Sequence, residues 1–225
     1  MNKTISVVIP AYNEEEVIAA TLEAVKVITG VTAIIVMNDG STDGTSGVAR
    51  RLGAQVVDLY PNRGKGGAMN ASLAYINTDV VVFLDADLGS SAREAEKLLQ
   101  PVLQEQCDLT IASFPPPAKK GGFGLVKGTA ARAIRKRGGG QAVSPLSGQR
   151  AMTRQALDIL APFNEGYGVE LGMTLKALQH GLRVVEVPTV MRHKETGRNL
   201  EGFKHRGRQF LDVVRVLADA RRKGI

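Results

Sequence analysis

Short apolar runs alternate with stretches of helical spacing along the first half of the chain. The runs occupy residues 5–10, 33–38, 54–59 and 80–85, and polar residues follow each of them. In the first intervening stretch Ile18, Leu22 and Val25 recur at the spacing of one helix face. Strands that alternate with helices predict an α/β fold with a mostly parallel sheet, in which ligands bind at the carboxyl ends of the strands.

The second half of the chain has a less regular pattern. Residues 108–113 and 183–188 are typical of strands, and a helix is expected to run from Glu170 to His180. Glycine- and proline-rich loops are predicted at 115–122 and 138–140, and a basic amphipathic helix at 202–222. Because no repeat or linker divides the sequence, a single domain over residues 1–225 is expected.

The basic residues are distributed unevenly. The formal net charge is +7, and residues 109–157 contain nine Lys or Arg and no Asp or Glu. This segment predicts an anionic partner. Four Tyr, six Phe and no Trp leave few platforms for base stacking, and no recognition motif occurs, which argues against nucleic acid.

Cysteine content and hydropathy favour a cytoplasmic protein. Cys107 is the single cysteine, so an intrachain disulfide is excluded, and no signal-peptide pattern follows Met1. No apolar run approaches the ~20 residues that a membrane-spanning helix needs. We therefore expect a chain that does not cross a bilayer.

The loops after the first two predicted strands carry polar side chains. Pro10-Ala11-Tyr12-Asn13-Glu14 follows the first strand, and Asn38-Asp39-Gly40-Ser41-Thr42 follows the second. Asp39 can accept a hydrogen bond from a nucleobase, and Ser41 or Thr42 is expected to cap the next helix. A turn and a cap alone do not explain an aspartate at the carboxyl end of a strand, so ligand contact is predicted there.

The loop after the third predicted strand is suited to phosphate. Asn62-Arg63-Gly64-Lys65-Gly66-Gly67 places two cations among glycines ahead of a helix. The segment does not have the spacing of a Walker loop, and the first strand is not followed by Gly-x-Gly-x-x-Gly. These differences count against a P-loop enzyme and a dinucleotide-binding fold.

The fourth predicted strand ends with Asp85-Ala86-Asp87. Two unpaired carboxylates buried there would cost several kcal/mol, and a cation removes this cost. Carboxylate oxygens suit Mg²⁺ or Mn²⁺, and such an ion can bridge the phosphates of a leaving diphosphate. Asp-x-Asp alone is common, but its position after this strand favours a metal site.

Together these motifs resemble the donor-binding half of family-2-like glycosyltransferases with the GT-A fold, over residues 1–110. Arg63-Gly64-Lys65-Gly66, Pro145-Leu146-Ser147-Gly148 and Gly166-Tyr167-Gly168-Val169-Glu170 further resemble the glucosyl-3-phosphoglycerate synthases and their mannosyl relatives. The resemblance implies that residues 111–225 form the acceptor-binding half. It favours UDP-glucose as donor, with GDP-mannose as the alternative.

The resemblance also implies roles for individual residues. The implied metal ligands are Asp87, His193 and Asp85, although Asp85 could instead bind the ribose. Lys65, Asp87, Glu170 and Arg192 would be catalytic, with Glu170 holding sugar hydroxyls and Arg192 facing the leaving diphosphate. The implied donor site consists of Pro10, Ala11, Tyr12, Glu14, Asp39, Gly64, Lys65, Asp85, Ala86 and Asp87. From the sequence alone, His193 could equally be a surface histidine and Glu170 a charged residue opening a helix.

The acceptor half departs from the synthases. Their Gly-Gly-Arg-Val-Thr-like stretch holds phosphoglycerate, whereas residues 121–129 here lack that arginine, so phosphoglycerate is not implied. An anionic acceptor is still expected to bind Lys127, Thr129, Ser147, Gly148, Arg150 and Arg198. Because no acid is available as a base in residues 109–157, a retaining transfer is expected, in which the departing diphosphate helps to accept the proton.

Other interpretations remain open. A polyprenyl phosphate could be the acceptor, with the basic terminal helix resting on an anionic membrane surface. The chain could be a catalytically silent nucleotide-sugar sensor, or the basic segment could be a solvated face. The sequence does not decide whether the protein forms a homodimer.

Overall fold

The computed structural model describes residues 3–114, 124–136, 144, 146–164 and 168–193, without the side chains of 124–127 and 136. The strands in these ranges are β1 (Ile5–Ala11), β2 (Val31–Asn38), β3 (Gln55–Asp58), β4 (Val80–Phe83), β5 (Leu109–Ser113), β6 (Arg150–Thr153) and β7 (Val184–Pro188). The α-helices are α1 (Ile18–Lys26), α2 (Thr45–Arg51), α3 (Gly64–Ser72), α4 (Ala95–Leu103), α5 (Gly124–Lys136), α6 (Arg154–Leu160) and α7 (Val169–Gln179). Two 3₁₀ helices occupy Leu73–Tyr75 and Gly89–Glu94.

The strands form one sheet in the order β3-β2-β1-β4-β6-β5-β7. All neighbouring pairs are parallel except those of β6, which runs antiparallel to β4 and β5. The predicted mostly parallel α/β sheet is therefore confirmed. β6 and α6 were not predicted from the sequence.

Hydrophobic residues cover both faces of the sheet. On one face Val7, Ile9 and Val36 pack with apolar side chains of α1 and α4. On the other face Val8, Ile35 and Met37 pack with side chains of α3, α6 and α7. This burial explains why the inner strands read as continuous apolar runs.

Parallel pairing places the ends of β1, β2 and β4 at one edge of the sheet. Ala11 pairs with Asn38, and Val8 pairs with Phe83. The strand predicted at 80–85 ends at Phe83, so Asp85 and Asp87 lie in the turn that follows. The loops after β1, β2 and β4, which were predicted to bind the donor and the metal, are therefore neighbours in space.

The N-terminus of α2 is capped by a different residue from the one predicted. The residue preceding α2 is Gly44, and the Thr45 backbone N–H donates to Asp43 Oδ1 at 3.0 Å. Ser41 instead accepts from the Asn13 backbone N–H at 2.9 Å, so neither Ser41 nor Thr42 caps the helix. Ser41 and Thr42 are both engaged by Asn13 of the first loop, so Asp43 takes the place of the predicted cap.

Some predictions fall on the rest of the chain. Arg198, the Lys127 side chain, the loops at 115–122 and 138–140, and the basic helix at 202–222 lie outside the described residues. Among the helices that are described, none has the length and apolar character needed to cross a membrane.

Candidate active site

Asp85, Asp87 and His193 converge beyond the end of β4. One potential ligand atom from each lies within 4.8 Å of the other two. His193 Nδ1 is 2.9 Å from Asp87 Oδ1 and 3.9 Å from Asp85 Oδ2. The hydrogen bond to Asp87 raises the pKa of His193, against the lowering effect of burial. Two carboxylates and an imidazole at this spacing suit a divalent cation.

Lys65, in the first turn of α3, lies between two carboxylates. Its Nζ is 2.6 Å from Asp85 Oδ1 and 2.8 Å from Glu170 Oε1. Burial alone would lower the pKa of Lys65, but Asp85 and Glu170 raise it above its usual value. Burial would likewise raise the pKa of Asp85, but the Lys65 ammonium holds it low. Lys65 and Asp85 therefore remain charged at neutral pH.

Two residues not identified from the sequence hold the Asp85–Asp87 turn. Thr21 Oγ1, on α1, donates to the Ala86 carbonyl at 2.7 Å and accepts from the Gly89 N–H at 2.8 Å. Gln149 Nε2 donates to Asp85 Oδ2 at 2.5 Å. Neither stands in a recognisable motif, and their partners are 65 and 64 residues away in the chain.

The segment that carries His193 is fixed to the 3₁₀ helix Gly89–Glu94. The Arg192 backbone N–H donates to Ser91 Oγ at 3.0 Å, and the Val190 N–H donates to Glu94 Oε2 at 3.1 Å. The Arg192 side chain is exposed. Backbone hydrogen bonds, rather than local sequence, therefore bring His193 to Asp87.

The loops after β1 and β2 hold each other. The Thr42 backbone N–H donates to Asn13 Oδ1 at 2.8 Å, and the Glu14 N–H donates to Thr45 Oγ1 at 2.9 Å. Asn13 has φ 55°, a conformation that asparagine tolerates better than most residues. The loops are thereby pre-organised next to Tyr12, whose side chain is half exposed.

Asp39 links the second loop to the start of α3. It is 4% exposed, and its Oδ1 accepts from the Arg63 backbone N–H at 2.8 Å. Its carbonyl accepts from Asn62 Nδ2 at 2.7 Å. Gly64 follows at φ 71°, where a side chain would be strained. Asp39 thus shapes the loop that presents Lys65.

The predicted acceptor residues separate into groups. Ser147 and Gly148 are buried beside Asp85, whereas Thr129 is exposed on α5. Arg150 is completely buried and donates from Nε to the Ser147 carbonyl and from Nη1 to Thr174 Oγ1. Burial lowers its pKa to about 10, against the opposing effect of Glu170 and Glu186. Direct contact of Arg150 with an acceptor was therefore the wrong expectation for this structure, because its guanidinium is directed into the core.

A cavity of about 490 Å³ adjoins the carboxylate–histidine cluster. This volume is within the range of small-molecule sites. Its lining residues come from the loop before α1, the turn after β4, the 3₁₀ helix that follows this turn, and the segment before residue 194: Glu16, Val17, Asp87, Leu88, Gly89, Ser90, Ser91, Arg192 and His193.

The chain is similar in sequence to known proteins. Glucosyl-3-phosphoglycerate synthase of Mycolicibacterium smegmatis is 34% identical over 76% of this chain, which spans 63% of that protein's length. An uncharacterized glycosyltransferase of Mycobacterium bovis is 32% identical, with 95% of this chain and 98% of that protein covered.

Solved structures agree with the sequence matches. The Mycobacterium tuberculosis glucosyl-3-phosphoglycerate synthase in complex with Mn²⁺, UDP-glucose and phosphoglyceric acid superposes with a TM-score of 0.81 at 31% identity. The match covers 99% of this chain and 80% of that one, and it confirms the predicted GT-A fold. The model of the family described as "Glycosyl transferase family 2" matches residues 6–158. The chain therefore belongs to glycosyl transferase family 2.

Proposed function

We propose that the chain is a metal-dependent hexosyltransferase that transfers glucose from UDP-glucose to a small anionic acceptor with retention of configuration. The observation that carries this proposal is the convergence of Asp85, Asp87 and His193 next to the Lys65–Glu170 pair. The resemblance to a synthase that binds Mn²⁺ and UDP-glucose supports it.

The three converging residues fit a divalent cation. Asp85, Asp87 and His193 would hold Mn²⁺ or Mg²⁺, and a tuberculosis synthase structure with Mg²⁺ and UDP supports either ion. The bound ion would supply positive charge to the diphosphate that leaves the sugar. Lys65 is shared between Asp85 and Glu170, so the ion would add positive charge beside Asp85 and Asp87.

Lys65 and Glu170 would act on the sugar side of the site. The ammonium is held charged at the start of α3, where backbone N–H groups also favour anions, so it can donate to diphosphate oxygens. The Glu170 carboxylate can accept hydrogen bonds from sugar hydroxyls. Arg192, at the cavity wall, offers a second cation to the leaving group.

The nucleoside would lie against the loops after β1 and β2. Tyr12 is half exposed and offers a ring for the base, and Asp39 lies at the carboxyl end of β2 beside the loop of Lys65. Pro10, Ala11, Glu14 and Gly64 complete this side of the proposed donor site.

We expect an anionic acceptor because the second half of the chain carries a strongly basic segment. Residues 109–157 carry nine basic and no acidic residues. The tuberculosis synthase has been crystallised with phosphoglyceric acid and with glycerol 3-phosphate, which supports a small phosphorylated acceptor. The lack of acids in this segment supports a retaining transfer, since a dedicated base would have to come from elsewhere.

Calorimetric titration with UDP-glucose and GDP-mannose, in the presence of Mn²⁺ and again with EDTA, tests the donor. We expect Mn²⁺-dependent binding of UDP-glucose. Binding of GDP-mannose alone would replace the donor, and absence of binding of both would refute the proposal. Tight donor binding without transfer to any acceptor would favour a silent nucleotide-sugar sensor. Bound donor would then be incubated with glycerol 3-phosphate, phosphoglycerate and a polyprenyl phosphate. The anomeric coupling of the product by NMR reports retention, and transfer only to the lipid would replace the small acceptor.

A further inference from the structure

Gln149 is a buried amide whose two polar ends are both engaged. It is 0% exposed, and it immediately precedes β6. Its Nε2 donates to Asp85 Oδ2 at 2.5 Å, and its Oε1 accepts from Ser147 Oγ at 3.0 Å. Because the ionised Asp85 carboxylate only accepts, it selects the NH₂ end of the amide, and the Ser147 hydroxyl holds the other end.

Strand pairing brings Gln149 to this position. β6 runs antiparallel to β4 with Arg150 opposite Phe83, so residues before Arg150 lie beside the turn that follows β4. Gly148 packs so closely that a Cβ there would lie 3.0 Å from both carboxylate oxygens of Asp85. Residues 147–149 therefore form a surface directly against this carboxylate.

Arg150 anchors the same segment from the other side. Its Nε donates to the Ser147 carbonyl at 3.0 Å, and its Nη1 donates to Thr174 Oγ1 at 2.9 Å. Thr174 Oγ1 in turn donates to the Glu170 carbonyl at 3.0 Å. Because hydrogen bonds from a charged donor are stronger than neutral ones, this buried guanidinium ties residues 147–149 to the helix that carries Glu170.

The two carboxylate oxygens of Asp85 have different hydrogen-bond partners. Oδ1 accepts from Lys65, whereas Oδ2 accepts from Gln149 and faces His193 Nδ1 at 3.9 Å. The terminal torsion of aspartate is broad, so a single bond to Lys65 would not fix the carboxylate plane. The bond from Gln149 supplies the second point of attachment, at the oxygen that lies 3.9 Å from His193 Nδ1.

We propose that Gln149 is a positioning residue that fixes the Asp85 carboxylate so that Oδ2 and His193 meet one divalent cation. This inference rests on the proposed function, because it concerns the metal that accompanies the nucleotide. Partners that orient a metal ligand typically contribute 10–100-fold to metal affinity, so a loss of about 10-fold is expected without the amide.

Titration of Mn²⁺ in the presence of a fixed concentration of UDP tests the proposal in a double-mutant cycle, since it measures the affinity for the metal itself. Gln149→Leu keeps the approximate volume and removes both hydrogen bonds, and it is made in the unsubstituted protein and in Asp85→Asn. Ser147→Ala removes only the hydroxyl that holds the oxygen end of the amide, and it is the variant to use if Gln149→Leu does not fold. Thr110→Val, on β5, is the matched control, because it also removes a buried hydroxyl, which donates to the carbonyls of Leu98 on α4 and Ala151 on β6 rather than to an amide that contacts Asp85.

We expect Gln149→Leu to weaken Mn²⁺ binding about 10-fold in the unsubstituted protein and less than about 2-fold in Asp85→Asn. Ser147→Ala should give a smaller loss in the same direction, and Thr110→Val none. Equal losses in both backgrounds, or no loss from either site variant, would overturn the role of Gln149. If the unsubstituted protein shows no Mn²⁺-dependent UDP binding, the proposed function itself fails, which is a separate result.

Discussion

Replacing Lys65 by methionine tests the charge balance of the site most directly. The variant keeps the length of the side chain but removes the ammonium between Asp85 and Glu170. The two carboxyl side chains are only 23% and 9% exposed. Breaking a buried ion pair by removing one partner costs about 3–5 kcal/mol, because the remaining charge is left uncompensated. For a chain of this size, this loss corresponds to a Tm lower by about 6–20 °C.

The loss should depend on pH. In the unsubstituted protein the pKa of Asp85 is lowered, so its stabilising contribution is present above the unfolded pKa and is lost as the pH falls through the folded pKa. Without Lys65, burial should raise the pKa of Asp85. The penalty in Lys65→Met is then largest at neutral pH and shrinks as the pH falls, because the carboxylate takes up a proton.

Urea unfolding followed by circular dichroism at about pH 8 and about pH 5.5 measures both effects. Lys97→Met is the matched control, since its 2.7 Å pair with Glu94 is formed by a lysine side chain that is 53% exposed. An exposed pair of this kind contributes about 0–1 kcal/mol. Equal destabilisation by the two variants, or a Lys65→Met loss that does not change with pH, would refute the reasoning.

Three further substitutions test separate parts of the site. Asp87→Ala should reduce Mn²⁺-dependent UDP binding below calorimetric detection, and retained binding would contradict the metal assignment. Gly148→Ala should weaken Mn²⁺-dependent UDP binding by about 10-fold, because the added Cβ would displace Asp85 and Lys65. Gly128→Ala is the control, because nothing lies within 4 Å of its added Cβ. It should leave binding unchanged and make the protein up to about 1 kcal/mol more stable. Asn13→Ala should lose about 1–2 kcal/mol in urea unfolding, because φ is 55° there. Both variants lose the hydrogen bond from the Thr42 N–H to the Asn13 side chain, but glycine tolerates this φ. Equal stability of Asn13→Ala and Asn13→Gly would therefore argue against backbone strain as the cause.

The strands that carry the donor side could be predicted because burial on both faces leaves a continuous apolar signature. β1 and β2 differ from the predicted strands by one and two residues, and Asp85 follows β4 as a polar break in an apolar run. β6 was missed because Arg150–Thr153 includes an arginine, an alanine and a methionine and shows no β-branched run. Its strand conformation comes from pairing with β4 and β5 on either side.

The sequence by itself determined the alternation of strands and helices, the carboxylate pair after β4, the cations ahead of α3 and the one-sided charge of the second half. Tertiary structure alone decided which of these groups face one another. His193 reaches Asp87 across 106 residues, Gln149 reaches Asp85 across 64, and Arg150 turns into the core rather than toward an acceptor. The reason is that local pattern reports the chemistry of a side chain and the burial of its backbone, whereas its partners depend on strand order and loop packing between distant segments.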